Sequence, residues 1–563
     1  MKKRLNIGIE NFKKLMEGNY YYVDQTDMIR ELLSEGDAVS LITRPRRFGK
    51  TLGLSMLRYF FELNKDNENE KLFNGLQITE YSHYHDHIGK YPVIHLSFKG
   101  TKQLTLESSL LQIYKIITNE YIRHIEAVEA YGYYESQIKA ILNCTEDPGI
   151  YNNSLYLLSR ILFEYYKVPA IILIDEYDVP LENAFFRGFY DEMLVFIRTL
   201  LETGLKTNDY LEFAVLTGCL RISKESVFTG LNNFTVFSMY NVPYIDKFGF
   251  TEADVRDLVQ YYELGNEVLD NMKKWYDGYY FNDIEVYNPW SVLNALKVAD
   301  RDKERGLLSE ANYLMPFWSN TSSNDIVGYL LKHADDTTNG LIDVLLDGDS
   351  IKKTIKQDIT FGDLRDLKTG LWSFLYYTGY LTPQNVKIIN GEIIADFKIP
   401  NEEVKLIFHK QIDARTAEVI EDSKLDLVYK AITEGDAEML SGELSKILLK
   451  TISYNDYRES FYHGFLTGIL SGMPGYAMKS NDESGYGRSD VVLKHIEGRK
   501  AIIFEFKYTK DEFQMVAMAK EALDQIERKK YDSDLVSENF TEITKYGIAF
   551  NRKKCHIIKE ADR

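Results

Sequence analysis

Residues 42–52 read ITRPRRFGKTL. The end of this stretch fits the phosphate-binding pattern G-x-x-x-x-G-K-[ST], with Gly49, Lys50 and Thr51 in place. Arg44 stands where that pattern has its first glycine. Before the loop, AVSLIT (38–43) is an apolar strand candidate. After it, TLGLSMLRYFFEL has helical spacing, with Leu52, Met56, Tyr59 and Phe60 able to share a face. A strand, loop and helix in this order would offer backbone N–H groups to phosphate oxygens. Lys50 would reach between phosphates and Thr51 would hold Mg²⁺. Arg44 cannot adopt a glycine-only conformation cheaply, so the first turn must differ from the usual one. The competing reading is a chance match inside a basic loop.

A second stretch, VPAIILIDEYDVPL (168–181), runs four apolar residues into Asp175 and Glu176. A buried parallel strand places an acid at its C-terminal end in this way, where ligands bind. Asp175 suits Mg²⁺ coordination, and Glu176 suits polarising an attacking water. Alone, the two acids could simply end a strand. YPVIHLSF (91–98) reads as a strand lying between the loop and the acidic strand, LEFAVLTG (211–218) follows, and FTVFSM (234–239) is a fifth. An additional strand between the two motif strands resembles the P-loop ATPases that carry a catalytic glutamate. By that resemblance Thr217 would be a polar sensor near the γ-phosphate. Arg44, Arg46, Arg47 and Arg221 offer forked donors for phosphate, or could be anchored by Asp24, Asp175 or Asp178.

At 563 residues the chain exceeds one ordinary core and suggests three or four domains, and 45% apolar with 27% charged residues fits a folded soluble protein. A formal charge of -18 argues against coating nucleic acid with the whole surface but leaves room for a local basic groove. Cys144, Cys219 and Cys555 are too scattered for a disulfide framework or a cysteine zinc site. The N-terminus lacks the apolar core of a secretory signal, and no 18-residue apolar run appears. A cytoplasmic protein that does not enter membranes is expected. From Asp246 onward Thr251 reads as a helix N-cap, and Asn288–Pro289 marks a turn before a helix carrying Trp290, Val292, Leu293 and Leu296. The aromatics there read as packing, with contact to an adenine ring as the alternative.

A second chemical centre is SGYGRSDVVLKHIEGRKAIIFEFKYTK (484–510), which reads as a hairpin. Alternation puts Glu505 and Lys507 on one face, with Phe504 and Phe506 opposite on a half-buried strand, and the hairpin can bring Asp490 beside them. Two carboxylates offer hard oxygens to Mg²⁺ or Mn²⁺, which can activate water against a phosphodiester. Lys507 would orient that water or stabilise charge at phosphorus. The spacing D-x14-E-x-K is weak alone, because charged residues on a strand face are common. From Gly485 to Arg563 there are 16 Lys+Arg and 14 Asp+Glu, net +2, and the RKK runs at 528–530 and 552–554 are candidate phosphate contacts.

Taken together, YYVDQT (21–26), LITRPRRFGKTL (41–52), LIDEYD (173–178), LTGCLRISKESVFTGLNN (216–233), WYDGY (275–279), VYNPWSV (286–292) and FWSNTS (317–322) resemble the bacterial AAA-ATPase-like proteins whose C-terminal part is a PD-(D/E)xK nuclease-like domain. In that family an arginine-rich start of the P-loop is normal. Gln25 departs from it, since relatives usually carry Lys there. The resemblance implies an α/β protein: a P-loop NTPase parallel sheet with a helical lid region, plus a C-terminal α/β restriction-endonuclease-like domain. The expected boundaries are an ATPase core at 1–245, a helical lid or winged-helix-like module at 246–325, a mixed linker at 326–439 and the nuclease-like domain at 440–563.

ATP would be bound by Arg46, Arg47, Phe48, Gly49, Lys50, Thr51, Asp175, Thr217 and Arg221. Glu459 matches the acid that PD-(D/E)xK nucleases often supply from their first helix, as a third metal ligand beside Asp490 and Glu505. Gln525 and Tyr531 would support that site. The expected function is Mg²⁺-dependent ATP hydrolysis coupled to a metal-dependent nuclease, with DNA favoured over RNA and a homo-oligomer compatible with it. The alternative is a non-catalytic ATP switch whose nuclease fold only recognises nucleic acid or protein.

Overall fold

The computed structural model describes residues 2–132, 136–221, 234–318, 325–357, 359–365, 367–421, 425–450, 459–484 and 487–560. Parts of LTGCLRISKESVFTGLNN and FWSNTS therefore lie outside the described residues. The chain divides into two compact units: Met1–Ser322 with Lys352–Lys405, and Ser323–Ile351 with Leu406–Arg563.

The first unit is built on five parallel strands: β1 (Val39–Thr43), β2 (Val93–Ser97), β3 (Ala170–Asp175), β4 (Leu211–Gly218) and β5 (Phe234–Phe237). Their order is β2-β3-β4-β1-β5. β1 and β3 are buried along their whole lengths, which is why β3 reads as a continuous Ile and Leu run instead of alternating. The strand expected between the two motif strands from 91–98 is β2, and it takes the edge of the sheet. β4 stands between β1 and β3. Register then aligns the strand ends, since Ile42 pairs with Thr217, Thr43 with Gly218 and Ile174 with Leu216. The loop after β1, Asp175 and Thr217 meet at the C-terminal ends of these strands as a result.

The helix Lys50–Phe61 follows the loop. Its deeply buried residues are Leu54, Met56, Leu57, Phe60 and Phe61, whereas Leu52 and Tyr59 are only half-buried. The apolar face is therefore rotated from the expected one.

Thr251 caps Glu252–Tyr261 through a capping box with Asp254, and a short hairpin, β6 (Tyr279–Phe281) and β7 (Ile284–Val286), precedes the helix Pro289–Glu304. Asn288 caps that helix by accepting from Trp290 and Ser291 N–H. Val255, Tyr276, Tyr287, Val292 and Leu296 share one core. A three-stranded sheet, β8 (Ile351–Ile355), β9 (Thr382–Ile389) and β10 (Glu392–Lys398), has the order β8-β10-β9.

The second unit carries β11 (Tyr476–Ser484), β12 (Gly487–His495), β13 (Lys500–Tyr508), β14 (Glu542–Asn551) and β15 (Lys554–Lys559), in sequential order. β13 and β14 are parallel, joined through the helix Met515–Lys529, and the other pairings are antiparallel. The half-burial expected of β13 does not hold, because the strand is central and buried on both faces from Ala501 to Phe506. Ile502, Phe504 and Phe506 pack with Tyr462, Phe465 and Phe550. Ala501 and Ile503 pack under Ala519, Leu523 and Ile526 of the crossover helix.

Candidate active sites

At the first site Gly49 has φ 85 and ψ 7, a left-handed conformation that only glycine adopts freely, while Lys50 opens the helix. Lys50 is buried and donates to the carbonyls of Arg44 and Pro45, each at 2.9 Å, with Glu176 at 3.9 Å. Burial opposes its charge, but the neighbouring Cys219, Glu176, Asp178 and Asp175 groups outweigh that and hold its pKa above the usual value. Asp175 is fully buried. It accepts from the hydroxyls of Thr51 (2.9 Å), Thr217 (2.9 Å) and Ser97 (3.2 Å). Burial, then the charge of Glu176, pushes Asp175 up to about 6. Glu176 has φ 55, a strained value for a side chain bearing a Cβ. Asp178 accepts from Cys219 N–H at 2.7 Å and Leu220 N–H at 3.0 Å, fixing the chain as it leaves β4.

The arginines do different things. Arg44 is fully buried and points inward, donating to the carbonyls of Thr43 (2.8 Å), Phe237 (3.0 Å) and Tyr244 (2.8 Å). Its guanidinium also lies 5.4 Å from the ring centres of Phe248 and Phe281. Arg44 is thus part of the core and does not face the phosphate loop. Arg46 pairs with Glu182, an acid other than the Asp24, Asp175 and Asp178 expected from the sequence. Asp24 instead accepts from Thr26 and Gln77. Arg47, at φ 69, lies 4.5 Å over the Trp290 ring. Phe48 is buried against Tyr279 and Phe281. Arg221 follows Leu220 directly, and the residues after it lie outside the described ones.

At the second site the β12–β13 register sets Val491 against Phe504 and thereby brings Asp490 beside Glu505. Asp490 N–H donates to Glu505 Oε2 at 3.3 Å, and Phe506 N–H donates to Asp490 Oδ2 at 3.0 Å. Gln525 donates to Glu505 and, at 3.3 Å, to the Tyr531 hydroxyl. Burial and the Asp490 charge push Glu505 up to about 8. Lys507 follows two residues later, half-buried. Glu459 begins the helix Glu459–Leu470, and its side chain lies outside the described ones. Among the described residues no group of three or more His, Cys, Asp or Glu is placed to hold a metal ion. Asp490 and Glu505 nonetheless fit a hard divalent cation, being two carboxylates that meet under mutual repulsion.

Comparison with known proteins agrees with this division. Residues 6–228 match the family model described as "Predicted AAA-ATPase". Residues 457–560 match the one described as "PD-(D/E)XK nuclease superfamily". The chain joins an AAA-ATPase-like region to a PD-(D/E)xK nuclease-like region. An "Uncharacterized protein in vnfD 5'region" of Azotobacter chroococcum mcd 1 is 27% identical over 99% of this chain and 98% of its own. A solved structure of the Aeropyrum pernix ORC2 protein (ADPNP-ADP complexes) aligns with 71% of this chain and 98% of its own at 12% identity. Its TM-score of 0.29 is too low to carry an argument.

Beside the phosphate loop, the AAA-ATPase-like region opens into a pocket bounded by Ile9, Tyr21, Val23, Phe250, Trp290 and Leu293. Lys99 and Lys102 reach the same pocket, and Lys99 pairs with Glu10 across it. Sequence reasoning misses both lysines, although KGTK directly after a strand in a P-loop sheet is the available signal. Trp290, expected mainly to pack, faces the pocket. In the nuclease-like region Arg552 and Lys553 form the turn between β14 and β15, with Lys553 buried, and Lys554 opens β15 paired with Glu512 at 2.6 Å. Arg552 and Lys554 are exposed, whereas Lys553 is not open to a phosphate. Among the described residues no helix is long and apolar enough to cross a membrane.

Proposed function

We propose that the AAA-ATPase-like region binds and hydrolyses ATP and that the nuclease-like region cleaves phosphodiester bonds in nucleic acid. The observation that carries this reading is the meeting of Lys50, Thr51, Asp175, Glu176 and Thr217 at the C-terminal ends of the parallel strands. Lys50 supplies fixed positive charge to the phosphate oxygens, and the N–H groups at the start of its helix add their dipole. Glu176 accepts a proton from the attacking water. Thr51 and Asp175 would hold Mg²⁺ in this site, and Asp490 and Glu505 would hold Mg²⁺ or Mn²⁺ in the other. A bound divalent cation supplies charge to phosphate oxygens and makes water more acidic. Gln525 orients Glu505, and Lys507 offers charge and hydrogen bonds to the oxygens at phosphorus.

The test uses the full chain. Lys50→Ala should abolish ATP binding by calorimetry, whereas Glu176→Gln should bind ATP and lose turnover by roughly 10²–10⁴-fold. Asp490→Ala or Glu505→Ala should remove both the Mn²⁺-induced rise in melting temperature and cleavage of single- or double-stranded DNA or RNA. Lys507→Ala should keep the melting shift and lose most cleavage. The second reading is an ATP-binding switch whose nuclease-like region only recognises its partner. A wild-type chain that binds ATP but shows neither turnover nor metal-dependent cleavage would establish that second reading and overturn the first.

A further inference from the structure

Glu403 lies far from the phosphate loop in sequence, and its carboxylate is fully buried in the first unit. Both oxygens accept from the Ser291 hydroxyl, at 3.0 and 2.7 Å, and Oε1 also accepts from Trp318 N–H at 2.8 Å. Burying a carboxylate on neutral donors is costly, so the arrangement calls for an explanation beyond packing. Its two partners share a neighbour. Ser291 follows Trp290 in the chain, and Trp318 follows Phe317, whose carbonyl accepts from the Trp290 indole N–H at 3.3 Å. Glu403 therefore grips the residue beside Trp290 and the residue beside the group that orients the Trp290 ring. Over that ring, 4.5 Å away, lies Arg47 of the phosphate loop. Glu403 is itself held in place. Asn401 donates to the Asp277 carbonyl at 2.7 Å and accepts from Val404 N–H at 3.1 Å.

We infer that Glu403 is a positioning residue for the nucleotide pocket, setting the first turn of Pro289–Glu304 so that Trp290 stands beside the phosphate loop. The inference rests on the nucleotide reading of that pocket and adds to it the dependence of ATP affinity on the segment Lys352–Lys405. Glu403 touches no part of the pocket wall described above and acts through Ser291, Phe317 and Trp318.

The experiment is a double-mutant cycle on the full chain, with the ATP dissociation constant measured by calorimetry. Trp290→Ala and Glu403→Ala should each weaken ATP on the order of tenfold, and the double variant should lose little beyond Trp290→Ala alone, because coupled neighbours are not additive. Ser291→Ala, a gentler change that leaves the acid in place, should show a smaller loss that also vanishes on the Trp290→Ala background. Glu403→Gln, which keeps shape and acceptor, should restore affinity to within about threefold of wild type. If wild type binds ATP and both Glu403→Ala and Ser291→Ala bind it equally well, the inference is overturned. It is overturned as well if their losses add in full to that of Trp290→Ala, since that is the mark of a general loss of stability. A wild-type chain with no ATP affinity would overturn the nucleotide reading, and this inference with it.

Discussion

Arg44 occupies the position that a glycine holds in the usual phosphate loop, and its side chain explains the exchange. The loop turns the guanidinium away from the phosphate side and into the core, where three carbonyls and two aromatic rings receive it. Burial lowers its pKa to about 10, so it stays charged at neutral pH. Arg44→Gly would restore the familiar motif yet should destabilise the protein by about 2–5 kcal/mol through the lost packing and hydrogen bonds. Chemical denaturation reads that loss, and ATP affinity should not improve. A stable, tighter-binding variant would sink this account.

Glu403 gives the second test at this scale. Burial pushes its carboxyl up to about 7, although the N–H groups of Trp318 and Phe317 and the Ser291 hydroxyl favour the ionised form. The folded chain thus binds this proton more tightly than the unfolded chain, where the ordinary value is 4.5. Its contribution to stability is complete below that lower value and is lost as pH rises through about 7. The melting temperature of wild type should therefore fall more steeply than that of Glu403→Gln between about pH 5 and 8. Parallel curves would refute the shift.

Elements are legible in the sequence where a pattern is local. The five strands of the ATPase-like sheet, the helix after the phosphate loop and the Thr251 cap all follow from runs of a few residues. Their arrangement is less so. The order that puts β2 at the edge depends on pairings across more than 70 residues. The inward turn of Arg44 depends on Phe237 and Tyr244, roughly 200 residues downstream. Glu403 gives no signal, since its partners lie 85 and 112 positions away. In the nuclease-like region the Asp490–Glu505 pair is readable from the hairpin and Gln525 and Tyr531 from the helical run 521–531, but the close packing of that helix on β13 and β14 is not.

That packing depends on one glycine. A Cβ on Gly547, which pairs with Glu505 across β13 and β14, would meet Ala519 O at 2.1 Å and Leu523 N at 2.7 Å. Both are backbone atoms of the helix that also carries Gln525. Gly547→Ala should push the helix outward at a cost of about 1–3 kcal/mol and loosen Gln525 from Glu505. Urea denaturation alongside Mn²⁺ titration would measure both effects, and an unchanged midpoint would count against such close packing.

At the scale of the molecule the chain passes between the two units three times, after Ser322, Ile351 and Lys405. Two passages fall inside regular structure, in the strand Ile351–Ile355 and the helix Glu402–Glu421. A chain cut after Ser322 would keep the phosphate loop but lose Thr382, Asn401 and Glu403. The Tyr280 N–H, the Asp277 carbonyl and the Ser291 hydroxyl would lose their partners. Each lost hydrogen bond costs about 0.5–1.5 kcal/mol, and the apolar packing of the segment goes with them. Residues 1–322 should therefore melt well below residues 1–405 by circular dichroism and bind ATP more weakly; equal melting would show that Lys352–Lys405 is dispensable.

The threading also bears on inheritance. Two ready-made parts joined end to end can be swapped between genes by one recombination event. Here a single crossover at Ser322 would leave residues 352–405 in the wrong gene, and exchanging the halves intact would need coordinated breaks at all three passages. The AAA-ATPase-like and nuclease-like units are thus bound to pass from parent to offspring as one package.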